Sequence, residues 1–204
     1  MVRHWFDLGT DIATVDRHLA SSDIFAPQVR ARPGIRVTRY PQAFEAAILI
    51  VLGQQVSLAA GRTFGGRLVA AYGEGDGPLR TFPRPERLAA EPTELLRATL
   101  GITGARARTL QALATHFADG FASEPGVPIE AADLLALPGV GPWTVSCLAL
   151  RSAGEPDVFP AADAVLRRAL EDASAREAAD LSLPWAPYRS YATVRLWAMA
   201  TAGP

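Results

Sequence analysis

A turn with two glycines separates two apolar helical patterns near residue 140, and it constrains the fold more than any other segment. The turn reads Leu137-Pro-Gly-Val-Gly-Pro-Trp-Thr144. Gly139 and Gly141 can adopt positive φ and let another backbone approach closely, and Pro142 suits the first position of a new helix because its missing N–H would be unpaired there. We therefore predict a helical hairpin over residues 131–151.

Such a hairpin would point backbone N–H groups outward. The amides around Gly139 and Gly141, with Thr144 in the next turn, would form a cradle for a phosphate that needs no basic side chain. The turn by itself is equally compatible with a tight helix–helix connection that binds nothing. The longer pattern, with Leu-Pro before the glycines and an amphipathic helix after them, is typical of the helix-hairpin-helix motif, which binds the DNA backbone without sequence preference.

The remainder of the chain also carries helical periodicity and lacks the alternation typical of strands. The segments Gly73 to Pro85 and Glu124 to Pro128 are rich in Gly and Pro and predict surface loops, and Arg30 to Arg39 predicts an arginine-rich loop. The predicted helices are marked by Ile12, Val15 and Leu19, by Phe44, Ile48, Val51 and Leu52, by Val56, Ala60, Phe64 and Leu68, by Leu95, Leu96 and Leu100, by Leu110, Leu113, Ala114 and Phe117, and by the segments Ala131 to Leu137, Pro142 to Arg151, Ala162 to Leu170 and Pro187 to Thr201. The sequence therefore predicts an all-α fold.

Charge and composition exclude several classes of protein. The net charge is −1, which argues against a protein that coats nucleic acid by bulk electrostatics, so any DNA contact must be local. The single cysteine, Cys147, and three scattered histidines match no zinc or iron–sulfur spacing, and we expect no metal and no cofactor. The longest apolar stretch, Ala46 to Leu52, is too short for a membrane span, and the first residues lack a secretory apolar region. We expect a cytoplasmic protein that meets the nucleoid through DNA.

A carboxylate follows the second helix of the hairpin. Asp163 lies between Ala162 and Ala164, and Pro160 suggests that a helix begins there, which would place Asp163 in the first turn, where the helix dipole favours the ionised form. An ionised carboxylate beside a deoxyribose would stabilise the positive charge that builds on the sugar as a base departs, and could orient a water. The alternative is an ordinary helix cap. Asp157 is the competing carboxylate, and its place before Pro160 favours a structural role.

With the hairpin and an aspartate about twenty residues beyond it, the chain resembles the helix-hairpin-helix DNA glycosylase superfamily. Within the superfamily it is most similar to bacterial alkylation-repair enzymes of the DNA-3-methyladenine glycosylase II type. The resemblance runs from Pro41 to Trp197 and rests on Ala43-Phe-Glu45, Leu52-Gly-Gln-Gln-Val-Ser57, Phe82-Pro-Arg-Pro-Glu-Arg-Leu88, Leu137-Pro-Gly-Val-Gly-Pro-Trp-Thr144, Asp157-Val-Phe159 and Trp185-Ala-Pro-Tyr-Arg-Ser-Tyr191.

This resemblance implies a domain organisation. Residues 41–204 would form the glycosylase core, with two helical lobes and the active-site cleft between them, and residues 1–40 would be a short extension that packs on the core. Relatives often carry a mixed α/β domain ahead of the core. Forty residues are too few for that domain, and we expect it to be absent or reduced.

The resemblance also assigns roles to single residues. Asp163 matches the catalytic aspartate, and Gly139, Gly141 and Thr144 match positions that contact DNA phosphates. The base-pocket positions are Trp143 and Trp197, with Cys147 standing where an aromatic residue is found in the close relatives, and the lesion-wedge positions are Gln54 and Gln55. A base alkylated on a ring nitrogen carries positive charge, which makes it a good leaving group and a partner for electron-rich indole faces. The alternative for both tryptophans is a place in the core.

All 20 basic residues are arginines, and the chain contains no lysine. Bifunctional relatives form a Schiff base through a lysine after the hairpin, where this chain has Trp143, so a lysine-dependent lyase step is excluded. The leading hypothesis is a monomeric, monofunctional glycosylase that flips 3-methyladenine and 7-methylguanine type bases out of double-stranded DNA and releases them by hydrolysis. The alternatives are a non-catalytic module that binds lesions and, less favoured, a superfamily enzyme for oxidised or mismatched bases.

Overall fold

The structure, a computed structural model, describes residues 2–77, 79–120 and 130–201. Helices dominate these ranges, and the extended pairing within them is limited to one antiparallel bridge between Glu74 and Thr81, so the prediction of an all-α fold is confirmed. The helices are Val2–Trp5, Ile12–Leu19, Ala26–Ala31, Ala43–Gly53, Leu58–Tyr72, Pro85–Ala89, Thr93–Leu100, Gly104–Ala118, Ala131–Leu135, Pro142–Leu148, Ala164–Ala169, Ala175–Ser182 and Arg189–Thr201, with a π-helical turn at Ala149–Ala153 and a 3-10 turn at Leu183–Trp185. None of the helices in the described ranges has the length and apolar character of a membrane span.

The chain divides into two compact units. One unit is residues 40–148, and the other combines residues 1–39 with residues 149–204. The hairpin turn belongs to the first of these units and Asp163 to the second. The domain boundary predicted near residue 40 stays a prediction.

The unit of residues 40–148 is organised around the helix Ala43–Gly53. This helix is apolar on nearly all sides, as expected for a helix buried in the centre of a fold, and it packs against Leu58–Tyr72, Gly104–Ala118 and Pro142–Leu148. Its buried residues are Ala43, Phe44, Ala46, Ala47, Ile48, Ile50, Val51 and Leu52. Packing on this central helix therefore positions the second helix of the hairpin.

In the other unit, both ends of the chain supply one core. Residues 1–39 contribute four buried side chains, which pack with residues from the helices that follow residue 149. The core comprises Val15, Leu19, Phe25, Val37, Leu150, Leu166, Leu170, Ala178, Trp185, Tyr191, Ala192 and Leu196. The helix Arg189–Thr201 carries three of these residues, so it joins the N-terminal segment to the region around Asp163.

Polar contacts also fasten the N-terminal segment to this helix. Tyr191 donates its hydroxyl to Asp7 Oδ2 at 2.7 Å, and Arg39 donates to Asp7 Oδ1 at 2.8 Å. Burial raises the pKa of Tyr191 to about 12. Arg195, which is fully buried, pairs with Asp16. Both ion pairs join residues more than thirty positions apart in sequence and hold the unit together.

The predicted helix boundaries need several corrections. The helix predicted over Pro142 to Arg151 is α-helical only to Leu148 and continues as the π-helical turn, whose Ala149 carbonyl accepts bonds from the amides of Gly154 and Glu155. The first two residues of the predicted arginine-rich loop belong to the helix Ala26–Ala31. The helices Pro85–Ala89 and Ala175–Ser182 were missed because each carries a single leucine and so shows no apolar spacing. In the predicted loop Gly73 to Pro85, the described residues before Pro85 are non-helical, while Glu124 to Pro128 lies outside the described residues.

Candidate active site and DNA-binding hairpin

The two-glycine turn joins the helices Ala131–Leu135 and Pro142–Leu148, as predicted. The amide of Val140 donates to the carbonyl of Leu137 at 3.2 Å, and Val140 buries its side chain beneath the turn. Gly139 is exposed and has a φ of 77°, whereas Gly141 has no positive φ. The requirement for glycine on conformational grounds therefore applies to Gly139 alone.

Gly139 also lies against the neighbouring helix Gly104–Ala118. A Cβ atom at this position would overlap the hydroxyl of Thr109 and approach its Cβ and Cγ2 to 3.2 Å. Thr109 is 4% exposed and its hydroxyl donates to the Ala105 carbonyl at 3.1 Å, so it has little room to move. Packing as well as φ demands glycine here.

Replacing Gly139 by Ala is expected to lower the free energy of unfolding by about 1–3 kcal/mol, because the new methyl group meets Thr109 and the φ is unfavourable. The turn would shift, and affinity for duplex DNA should fall with it. Chemical denaturation and equilibrium DNA binding test this result. Gly66→Ala is the matched control, since a Cβ there meets nothing within 4 Å. Equal free energies of unfolding for the two variants would contradict the requirement for glycine at position 139.

The two wedge candidates occupy different environments. Gln54 donates its side-chain amide to the Thr144 hydroxyl at 2.8 Å and to the Gly139 carbonyl at 3.4 Å, so its side chain is bonded to the hairpin. Gln55 is exposed and has a φ of 53°, an uncommon conformation for a residue other than glycine. Arg106 donates through Nη2 to the carbonyl of Gln54. Thr144 is 1% exposed, and its hydroxyl is the acceptor of the Gln54 side-chain amide. The Thr144 hydroxyl is therefore buried beneath the turn.

Asp163 caps the helix Ala164–Ala169. The sequence-based prediction placed it in the first turn; the structure places it one position earlier, as the N-cap, because the helix begins at Ala164. Its Oδ1 accepts the backbone amides of Val165 at 2.9 Å and Leu166 at 3.0 Å. The residue is 7% exposed. The capping role considered as the alternative is therefore present, and it fixes the carboxylate at a single position in a largely buried setting.

Trp197 is the third donor to this carboxylate. Its indole Nε1 donates to Asp163 Oδ1 at 3.2 Å from the helix Arg189–Thr201, and the ring is half-buried. The guanidinium carbon of Arg151 lies 5.2 Å from the centroid of the indole ring, within the range of a cation–π contact. The structure thus brings together two residues that the sequence assigned to one site, Asp163 and Trp197, and adds Arg151.

The remaining pocket candidates lie in the other unit. Trp143 is half-buried in the first turn of the helix Pro142–Leu148, and Cys147 is 4% exposed one turn further along. Thr144 lies on the same helix. This helix therefore carries both the phosphate-binding candidate Thr144 and the pocket candidates Trp143 and Cys147.

Asp157, which lies in the same unit as Asp163, has a structural role. Its two carboxylate oxygens accept Arg189 Nε at 2.7 Å and Nη2 at 2.8 Å, and Oδ1 also accepts the Arg189 amide at 3.2 Å. The Arg189 hydrogen bonds lower the pKa of Asp157. The structure thus engages the Arg189 guanidinium in an ion pair with Asp157. Arg36 and Arg39 of the predicted arginine-rich loop likewise bond to the segment around Asp7.

Three residues that contact these groups were not predicted from the sequence: Thr109, Arg106 and Arg151. Thr109 and Arg106 lie on a predicted helix, and no pattern there distinguishes a residue that packs against a distant turn from an ordinary helical position. Arg151 ends the predicted second helix of the hairpin, where a basic residue is favoured by the helix dipole alone. Their contacts depend on tertiary packing.

The chain is similar in sequence to known DNA repair proteins. Residues 48–180 match the family described as HhH-GPD superfamily base excision DNA repair protein, and residues 1–42 match the AlkA N-terminal domain family. A Mycobacterium tuberculosis protein named probable bifunctional transcriptional activator/DNA repair enzyme AlkA is 40% identical over 96% of this chain, and the chain spans 41% of that protein's length. A Bacillus subtilis DNA-3-methyladenine glycosylase is 30% identical over 96% of this chain and 70% of its own length.

The fold also matches a solved structure. The Schizosaccharomyces pombe 3-methyladenine DNA glycosylase in complex with abasic DNA aligns with a TM-score of 0.74 at 23% identity, covering 90% of this chain and 95% of that one. At this identity the likeness shows a shared fold. Together with the match over residues 48–180, it shows that the chain belongs to the HhH-GPD superfamily of base excision DNA repair proteins.

Proposed function

We propose that this chain is a DNA glycosylase that flips alkylated bases of the 3-methyladenine and 7-methylguanine type out of double-stranded DNA and releases them by hydrolysis, with Asp163 as the catalytic carboxylate. The observation that carries the proposal is the environment of Asp163. It is a nearly buried carboxylate with Oδ1 held by two backbone amides and by the Trp197 indole. The superfamily match and the relatives named DNA-3-methyladenine glycosylase support the same reaction.

The chemistry follows from the fixed charge. As the bond between C1′ and the base nitrogen breaks, the base leaves with the electron pair and positive charge builds on the sugar. A carboxylate held in place by three donors stabilises that charge without reorganising, and this effect is larger in a site that excludes water. Water then forms the new bond to C1′, and its proton is lost to the carboxylate or to solvent. Alkylation on a ring nitrogen makes the base a better leaving group.

Two other elements would hold the DNA. The exposed turn at Gly139 and Gly141 can accept a phosphate on its backbone amides, with Thr144 buried beneath it. Of the two wedge candidates, we assign Gln55 to the gap left by the flipped nucleotide, because it is exposed on a strained turn while Gln54 is bonded to Thr144. Trp197, which donates to Asp163, would contribute to the base pocket.

The chain has no lysine, so the proposed reaction ends at hydrolysis and includes no lysine-dependent lyase step. We further propose that the chain acts as a monomer in the cytoplasm and that residues 1–40 are an extension of the glycosylase core. Because the chain spans only part of the M. tuberculosis relative, these proposals concern the chain described here.

Product analysis tests the proposed function. Duplex DNA treated with a methylating agent is incubated with the chain, and free bases are separated by chromatography while strand breaks are scored with and without alkali. We expect free 3-methyladenine or 7-methylguanine, and strand breaks only after alkali. Breaks without alkali that borohydride traps as a covalent adduct would contradict the hydrolytic mechanism. Lesion binding without release of any base would favour a non-catalytic lesion-binding module.

A further inference from the structure

A short turn, residues 54–57, joins the helix Ala43–Gly53 to the helix Leu58–Tyr72. Gln55 is exposed in this turn and has a φ of 53°. A residue other than glycine is strained in this left-handed region, and such a conformation persists only where surrounding contacts hold it. The contacts made by this turn therefore decide where the Gln55 side chain lies.

Gln54 connects the turn to the two-glycine turn of the hairpin. Its Nε2 donates to the Thr144 hydroxyl at 2.8 Å and to the Gly139 carbonyl at 3.4 Å. Because Thr144 is 1% exposed, water cannot readily replace the amide if it is removed. Gln54 directly precedes Gln55 in the chain, so these bonds fix the position of Gln55 relative to the hairpin.

Arg106 fixes the backbone of the same turn. Its Nη2 donates to the Gln54 carbonyl, and its guanidinium carbon lies 6.0 Å from the centroid of the Phe64 ring. Thr109, three positions further along the same helix, lies against Gly139 of the hairpin. This helix therefore contacts both turns, and all of these residues belong to the unit of residues 40–148.

We propose that Gln54 and Arg106 are positioning residues, which hold Gln55 in the orientation that fills the gap left by a flipped nucleotide. The inference rests on the proposed function, because that function assigns Gln55 to the gap. Without the Gln54 amide or the Arg106 guanidinium, the strained turn can relax to a negative φ, which would turn the Gln55 side chain away. The hairpin amides would still bind phosphate, but the protein would distinguish a duplex with a gap less well from an intact one.

The ratio of two dissociation constants tests this inference. One duplex is undamaged, and the other carries a tetrahydrofuran abasic analogue, which leaves a gap in the base stack. Both duplexes present the same phosphates to the hairpin, so the ratio of the undamaged to the abasic constant measures the filling of the gap. Loss of folded protein weakens both apparent affinities equally. A purely structural role would therefore leave the ratio at its wild-type value.

Gln54→Leu is expected to lower this ratio by roughly 2- to 10-fold, the effect of losing one buried hydrogen bond between neutral groups. Arg106→Met should lower it as well, and Arg108→Met, which removes an exposed arginine from the same helix, controls for the lost positive charge. Gln111→Leu is the control for the lost amide, since Gln111 donates to the Glu91 carbonyl at 2.8 Å. Both control variants should keep the wild-type ratio.

A double-mutant cycle completes the test. Gln55→Ala should lower the ratio in the wild-type background and have a clearly smaller effect in the Gln54→Leu background, because both substitutions remove the same filling of the gap. A wild-type ratio for Gln54→Leu, equal effects of Gln55→Ala in the two backgrounds, or no effect of Gln55→Ala would each overturn the inference. Release of free methylated base by the wild type would leave the proposed function standing in all three cases, and its absence would overturn that function.

Discussion

Replacing Arg195 by Met is expected to lower the free energy of unfolding by about 3–5 kcal/mol, because it leaves a buried carboxylate without its partner. Arg195 is fully buried and pairs with Asp16, while its Nη1 donates to the Arg32 carbonyl at 3.1 Å. The other oxygen of Asp16 accepts the Gly34 amide at 2.7 Å, so the carboxylate cannot turn toward solvent without breaking that bond.

Urea denaturation followed by far-ultraviolet circular dichroism measures the effect. The double variant Arg195→Met with Asp16→Leu should recover most of the loss, since it removes both charges from the interior. Arg97→Met is the matched control: its pair with Glu94 is solvent-exposed, and such pairs contribute at most about 1 kcal/mol. An Arg195→Met loss no greater than that of the control would show that the pair does not hold the two ends of the chain together.

Much of the fold was predictable from local pattern. The helices Ala43–Gly53 and Thr93–Leu100 follow from the spacing of their apolar residues. The end of the second helix follows from Gly101, because glycine readily adopts the left-handed conformation, here with a φ of 70°, that caps a helix. The hairpin turn was predictable for the same reason. Asp163 and Trp197 were assigned to one site by resemblance, and the indole N–H to Asp163 Oδ1 distance of 3.2 Å places them in contact.

The unpredicted features depend on tertiary contacts. Sequence pattern gave no indication that residues 1–39 share a core with residues 149–204, because that core joins segments more than a hundred positions apart. Asp163 was expected in the first turn of its helix, yet Pro160 does not begin that helix, and the carboxylate caps it at Ala164 instead. The roles of Arg106 and Arg151 likewise depend on which distant carbonyl or ring each guanidinium meets.

Replacing Asp163 by Asn is expected to slow base release by about a hundredfold to ten-thousandfold, because it removes the charge that would stabilise the developing positive sugar. Asparagine is as good an N-cap as aspartate, so the helix Ala164–Ala169 and the overall stability should be nearly unchanged. Binding to lesion-containing duplex should also persist, since the hairpin is untouched. Asp157→Asn is the matched control. Its carboxylate is bound to Arg189, and the substitution should leave the rate of base release close to that of the wild type.

The most direct test of the central claim is single-turnover release of free methylated base from methylated duplex DNA, measured for the wild type, Asp163→Asn and Asp157→Asn in one buffer. We expect release by the wild type and by Asp157→Asn, and a loss of at least about a hundredfold for Asp163→Asn with DNA binding retained. Equal rates for the wild type and Asp163→Asn would contradict the catalytic role of Asp163, and binding by all three proteins without release of any base would contradict the glycosylase assignment itself.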